Sequence, residues 1–177
     1  MGERWLIEGA SQDGQVVTPD WEFVGRTLID GVQVKEIRSI PAAYGHLTEI
    51  FRRDWALDNL PVDQVFQAVL RPGVVNAWHA HATTTDRLFV SVGQVRVVLY
   101  DAREGSPTHG LLNEFRISSL RPALVCIPPR LWHGIQNMHH EQSVLLNLVD
   151  QGYSYTAPDH WRVPPDTPHI PYRFPAL

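Results

Sequence analysis

Apolar residues in this chain come in short runs, many alternating with polar ones, and glycine, proline or a polar cluster closes each run. Valine, isoleucine, leucine, phenylalanine and tyrosine dominate them, which is strand rather than helix patterning. The runs predict strands over residues 21–26, 32–37, 47–52, 64–70, 74–81, 87–92, 94–100, 114–118, 123–127, 132–137 and 143–149. Helical periodicity is weak, with a turn or two expected near 54–60 and around Ala42. Many short strands at this spacing predict an all-β sandwich or jelly-roll barrel. Residues 88–92 and 95–100, joined by Gly93-Gln94, read as a hairpin. From Ala157 onward Pro158, Pro164, Pro165, Pro168, Pro171 and Pro175 forbid a central strand and favour an extended strap over the surface. The expected organisation is one domain over residues 1–177, with a core at 31–150 and the strap at 151–177.

A chain of 177 residues, 44% hydrophobic, suffices for one full core and leaves little for a second domain. The formal charge of −4 and the lack of any run of basic residues argue against a nucleic-acid partner, which would require clustered positive charge. Cys126 is the single cysteine, so no internal disulfide forms, and Ala-Leu-Val-Cys-Ile-Pro reads as a buried strand with the thiol as apolar filler. The N-terminus has no apolar run of signal length, and no stretch approaches the ~20 residues of a membrane helix. A cytoplasmic protein without membrane association is expected.

Chemistry concentrates in Gly73-x5-His79-x-His81-x4-Asp86-x6-Gly93 and, further on, Pro128-x4-His133-x3-Asn137. Residues i and i+2 of a strand share a face, so His79 and His81 project side by side. With Asp86 and His133 they form three imidazoles and a carboxylate, a donor set that suits one divalent Zn, Fe, Mn or Ni ion. Without a metal, paired imidazoles in a desolvated pocket serve as general bases. His46, His109, His139, His140, His160 and His169 fall in loop-like segments and read as solvated. Trp78 and Trp132 precede the site histidines and, by alternation, face the other side as packing residues.

These spacings resemble the two half-motifs of the cupin family. Asp86 stands where that motif usually has Glu, one methylene longer, and Arg130 replaces its usual glycine, bringing positive charge to the rim. More of the chain, from about Gly31 to Tyr172, resembles the cupin-fold nucleotide-sugar epimerases typified by dTDP-4-dehydrorhamnose 3,5-epimerase. The matching pieces are Gly45-x-Leu47-x-Glu49-Ile50-Phe51, Gly73-Val74-Val75-x3-His79, Leu88-Phe89-Val90-x-Val92-Gly93-x-Val95, Ile127-Pro128-x4-His133-Gly134 and Tyr155-x-x-Pro158. The most specific is Tyr100-Asp101-x-Arg103-x-Gly105-Ser106-Pro107-Thr108-x-Gly110.

The resemblance implies an isomerase without cofactor, acting on a nucleotide sugar by removing the proton next to a keto group. It implies His79 as base, Asp166 as assisting carboxylate and Arg87 near the keto oxygen, with His81 shaping the site. Substrate contacts are expected from Asn76, Gln64, Arg130 and Asn147. The family's Arg before Gly-x-His is Asn76 here, Tyr44 replaces another ligand-binding Arg, and the catalytic Tyr falls near Leu146 or Asn147. Tyr153 and Tyr155 are displaced from that position. A single epimerisation or a keto shift survives such losses better than a double epimerisation. His79-Ala80-His81 also resembles the His-Ala-His of sugar-nucleotide 3,4-ketoisomerases. The resemblance further implies a homodimer formed by exchange of N-terminal strands, for which Trp5-Leu6-Ile7 offers a segment. Two other readings stay open: a metal-dependent cupin enzyme holding its ion through His79, His81, Asp86 and His133, and a cupin without turnover.

Overall fold

The structure, a computed structural model, describes residues 5–20, 24–25 and 27–177. Twelve strands follow in order: β1 (Gln33–Glu36), β2 (Ser39–Ala42), β3 (Gly45–Thr48), β4 (Gln64–Leu70), β5 (Val75–Ala80), β6 (Asp86–Val92), β7 (Gln94–Tyr100), β8 (Leu112–Ser118), β9 (Ala123–Ile127), β10 (Trp132–Asn137), β11 (Ser143–Val149) and β12 (Trp161–Arg162). Among the described residues one 3-10 turn, Arg53–Trp55, stands where a helical turn is expected. The other expected turn, around Ala42, is instead strand β2, hidden in the sequence by Pro41. The proline is tolerated because β2 pairs only with β3, leaving its other edge free of a ladder. The strand expected over 21–26 falls largely outside the described residues, and that over 47–52 is shifted toward the N-terminus, to Gly45–Thr48. No helix among the described residues is long and apolar enough to cross a membrane.

The remaining strands form two five-stranded antiparallel sheets, β1-β9-β6-β11-β4 and β12-β5-β10-β7-β8. Together they make a jelly-roll sandwich. Inward residues of both sheets build the main core, among them Leu88, Val90, Val97, Leu99, Val125 and Ile135. The strands β6 and β7 do not form the expected hairpin, since each belongs to a different sheet. A lone residue between them cannot supply a two-residue turn, so Gly93 makes a corner that carries the chain across the core. Its φ of +78°, and a would-be Cβ 2.2 Å from Ser143 Oγ, explain why glycine stands there. Ser143 Oγ accepts from Gln94 N and donates to Asn137 Oδ1, whose own amide donates to the carbonyls of Leu70, Arg71 and Glu141. Asn137 thus closes the end of the sandwich opposite the histidines.

Both outer faces are covered. On the first sheet, Phe89, Leu124, Cys126 and Leu148 pack under Ile50, Phe51, Trp55, Leu57 and Val62. On the second, Trp78 and Val98 pack under Val163, Ile170, Tyr172 and Phe174 of the C-terminal residues. Trp78 is fully buried there, and Trp132 joins the same cluster, so both tryptophans pack on the face opposite the histidines. The loop after β7 is knotted on one buried carboxylate: Asp101 accepts from Arg103 Nε at 2.9 Å, Ser106 Oγ at 2.6 Å and Thr108 Oγ1 at 2.7 Å. Arg103 Nη2 and Thr108 Oγ1 then clasp the backbone of Asp30.

Arg87 requires a correction. It follows inward-facing Asp86 on β6, so alternation turns it outward, beneath the segment that precedes β4. Its guanidinium is fully buried and forks onto Asp58, Nε to Oδ2 at 2.6 Å and Nη2 to Oδ1 at 2.8 Å, with further bonds to the carbonyls of Leu60, Pro61 and Leu148. It is a structural ion pair, turned away from the keto oxygen it was expected to face. Replacing Arg87 by Met strands a largely buried carboxylate and is expected to lower stability by about 3 kcal/mol, measured as the urea midpoint, with Asp58→Leu in the same chain recovering part of the loss. A variant with unchanged stability and lost turnover would return Arg87 to the chemistry.

Candidate active site

At the end opposite Asn137, the last residues of β5 and the first of β6 and β10 bring the histidines together. His79 and His133 are direct cross-strand partners on β5 and β10, with ring centroids 4.0 Å apart. His81, just past β5, lies 5.6 Å from His133 by the same measure. Asp86 opens β6 on the facing sheet and is buried, as is His133. Its Oδ2 lies 3.4 Å from His81 Nε2 and 3.4 Å from His133 Nε2, while Oδ1 accepts from Asn147 Nδ2 at 2.6 Å. The shorter carboxylate therefore still reaches between two imidazoles, because β6 begins at Asp86 itself.

Each ring is set from behind. His133 Nδ1 donates to Leu131 O and His81 Nδ1 to Asp159 O, which leaves both Nε2 atoms facing Asp86. His79 differs: its Nδ1 is buried and has no hydrogen-bond partner among the described residues. Burial, then the neighbouring rings of His133, His160 and His81 and the charge of Arg162, hold His79 far below the ordinary imidazole value. Burial also lowers His133, against the pull of Asp86. The His79 imidazole is therefore neutral throughout the physiological range.

The C-terminal residues add groups that the strand patterning hides. Asp159 accepts from Ala82 N at 2.6 Å, Thr83 N at 2.9 Å and Thr84 N at 3.1 Å, capping the loop after β5. These amides hold its carboxyl well below the usual range despite burial. His160 is exposed, as expected, yet its ring lies 5.3 Å from that of His79 and 5.0 Å from that of His81, at the border of the cluster. Arg162 on β12 pairs across from His79. The signal was a polar, ring-bearing stretch, Asp159-His160-Trp161-Arg162, within a proline-rich tail.

Other expected residues are placed differently. Asp166 is exposed in a turn beyond β12, next to Pro165, whose carbonyl accepts from Trp78 Nε1 on the outer face. Asp159, seven residues earlier, meets His81 instead, through its backbone carbonyl, while its carboxylate caps the loop after β5. Asn147 is buried with both amide ends engaged, Nδ2 on Asp86 and Oδ1 on Arg87 N, so it supports Asp86 rather than a ligand. Gln64 uses its Oε1 to hold Tyr153 N at 2.9 Å. Asn76 is exposed and accepts from Arg162 Nη1 at 3.4 Å. Arg130 is exposed at the rim with φ +67°, the left-handed conformation that explains the glycine usual there, and its N donates to His81 O at 2.6 Å.

The four expected metal ligands divide between two overlapping sets, His81, Asp86 and His133 in one and His79 and His81 with the unexpected His160 in the other, each with donor atoms within 4.8 Å of one another. In the first set, both N···O separations of 3.4 Å match the edge of a tetrahedron with bonds of ~2.0–2.1 Å, which is about 3.4 Å. Its residues fit a divalent ion, and His79 stands outside it.

The family model of dTDP-4-dehydrorhamnose 3,5-epimerase matches residues 26–173. A probable low-salt glycan biosynthesis epimerase of Haloferax volcanii is 36% identical over 139 residues, 78% of this chain and 89% of that protein. A spore coat polysaccharide biosynthesis protein of Bacillus subtilis is 30% identical over 149 residues, 83% of this chain and 97% of that protein. The crystal structure of a dTDP sugar isomerase from Desulfovibrio desulfuricans superposes with a TM-score of 0.75 at 31% identity, covering 81% of this chain and 90% of that one. With the matched family model spanning the jelly roll, its histidine-lined end and the C-terminal residues that complete it, the chain belongs to the dTDP-4-dehydrorhamnose 3,5-epimerase family of dTDP-sugar epimerases.

Proposed function

We propose that this chain epimerises or isomerises a dTDP-linked 4-keto sugar, with His79 removing the proton next to the keto group. The observation that carries the reading is the buried, unpartnered Nδ1 of a neutral His79 at the point where β5, β6 and β10 converge. A buried polar atom without a partner is costly to maintain, and a substrate at this point would relieve it. The keto group acidifies the adjacent C–H, and a desolvated imidazole is a base suited to it. Return of a proton to the opposite face inverts the carbon, whereas its return to a neighbouring atom shifts the keto group. The absence of a tyrosine at Leu146 and Asn147 favours one inverted centre, or a keto shift, over two inverted centres. Asp159 and Leu131, through their carbonyls, hold His81 and His133 in one tautomer, and Asn147 holds Asp86, so the bowl around His79 is rigid before substrate arrives.

His79→Gln is expected to lower kcat by about 10²–10⁴-fold while leaving dTDP binding in place, read as loss of deuterium incorporation from D2O into the sugar. Because the folded His79 takes up a proton only far below 6.5, the rate of the wild type should stay level as pH falls from 8 to 6, without an acid limb centred near 6.5. The same depression has a stability sign. Below about 6.5 the unfolded chain binds a proton that the folded chain refuses, so stability falls with acidification, and the urea midpoint should drop between pH 7.5 and 5.5. A rate that halves near pH 6.5, or equal deuterium incorporation by the variant, would remove His79 as base.

A second reading is favoured by one observation, the two equal 3.4 Å edges from Asp86 Oδ2 to His81 Nε2 and His133 Nε2. A zinc-like ion held by these residues would act as a Lewis acid toward a bound oxygen. Chain purified without an affinity tag should then contain near-stoichiometric metal by elemental mass spectrometry, and His81→Ala should lose it. Metal-free wild-type protein would leave the cluster to acid–base chemistry alone.

A further inference from the structure

A nucleoside diphosphate brings two negative phosphates to the mouth of the site, and these call for cations whose charge is not already matched. Six of the twelve described arginines are matched. Arg52 pairs with Glu49 and Asp54, Arg87 with Asp58, Arg96 and Arg116 with Glu114, Arg103 with Asp101, and Arg121 with Glu36. Arg162 and Arg130 border the imidazole cluster without a carboxylate partner among the described residues. The two are held differently. Arg130 is tied through its backbone N to His81 O and reaches Ala82 O with Nε at 3.4 Å. Arg162 is an exposed residue on the edge strand β12, directly across from His79, and its one side-chain bond is the long 3.4 Å contact to Asn76 Oδ1.

The proximity is felt electrostatically: the guanidinium opposes protonation of both His79 and His160. A bidentate donor of fixed shape, free on one side and adjacent to the proposed base, is what a phosphate group requires for recognition.

We propose that Arg162 anchors the diphosphate of the substrate, fixing the sugar's reacting carbon beside His79. The assignment rests on the nucleotide-sugar reading above and adds to it a residue from the C-terminal strand. Asn76 Oδ1 steers the guanidinium, and the short pairing of β12 with β5 sets its distance from the base.

The test is calorimetric titration of the full chain with dTDP, dTMP and thymidine, for wild type, Arg162→Ala, Arg162→Lys and the far-end control Arg71→Ala. Loss of a charge-assisted pair should weaken dTDP binding by about 10- to 100-fold in Arg162→Ala, with Arg162→Lys between. Thymidine binding should be unchanged, and the salt dependence of dTDP affinity should become shallower. Arg71→Ala should match the wild type. Unchanged dTDP affinity in Arg162→Ala would overturn the assignment alone, as would an equal loss for thymidine, which marks a structural role. Thermal midpoints of both Arg162 variants separate misfolding from lost contact, and Arg162→Lys keeps the test open if the alanine variant unfolds. A wild type that binds neither dTDP nor dTMP would overturn the nucleotide-sugar reading itself, and the Arg162 assignment with it.

Discussion

The cross-strand pairing of His79 with His133 is the constraint from which the site follows. Because β5 and β10 are antiparallel neighbours in register at that point, the two imidazoles share one face and meet at the sandwich end. Alternation then assigns every neighbour a side. Trp78 and Trp132 go to the outer face, where C-terminal residues bury them, and His79 and His133 go inward. On the facing sheet the same parity sends Asp86 in and Arg87 out. A slip of one residue in any of these strands would exchange the chemistry for the packing.

Charge is distributed with comparable economy. Most of the protein's described ion pairs serve architecture: Arg87 with Asp58 fastens the segment before β4, and Arg103 with Asp101 fastens the loop after β7. Asp86 is the exception, a buried carboxylate directed at two imidazoles rather than at a guanidinium. Its one strong neutral partner, Asn147, fixes its orientation without neutralising it. The site therefore sets one buried carboxylate against two imidazoles, with the guanidiniums of Arg130 and Arg162 at its edge.

The C-terminal residues link these two aspects. They cover Trp78 on the outer face and also complete the inner site, because β12 pairs with the edge of β5 just at His79. Asp159 caps the loop that carries His81 to its position, so one short stretch stabilises the second sheet, orients an imidazole and brings Arg162 to the mouth.

Strand alternation and turn residues made nearly all the sheet strands legible, and β4, β7, β9, β10 and β11 have their expected bounds. Pairing was less legible: a run of apolar residues is the same whether the next strand lies beside it or across the core, so the β6–β7 corner at Gly93 passed for a hairpin. The His79, His81, Asp86 and His133 constellation could be read because local spacing on strands fixes direction. The roles of Asp159, His160 and Arg162 could not, since a proline-rich tail has no period, and its contacts with β5 lie about eighty residues away along the chain. By itself, then, the sequence determined the strands, the inward histidines and the family resemblance, all consequences of local periodicity and spacing. Tertiary structure alone decided which sheet each strand joins, which face Arg87 occupies and which C-terminal residues reach the site, because these depend on long-range packing that no local pattern encodes.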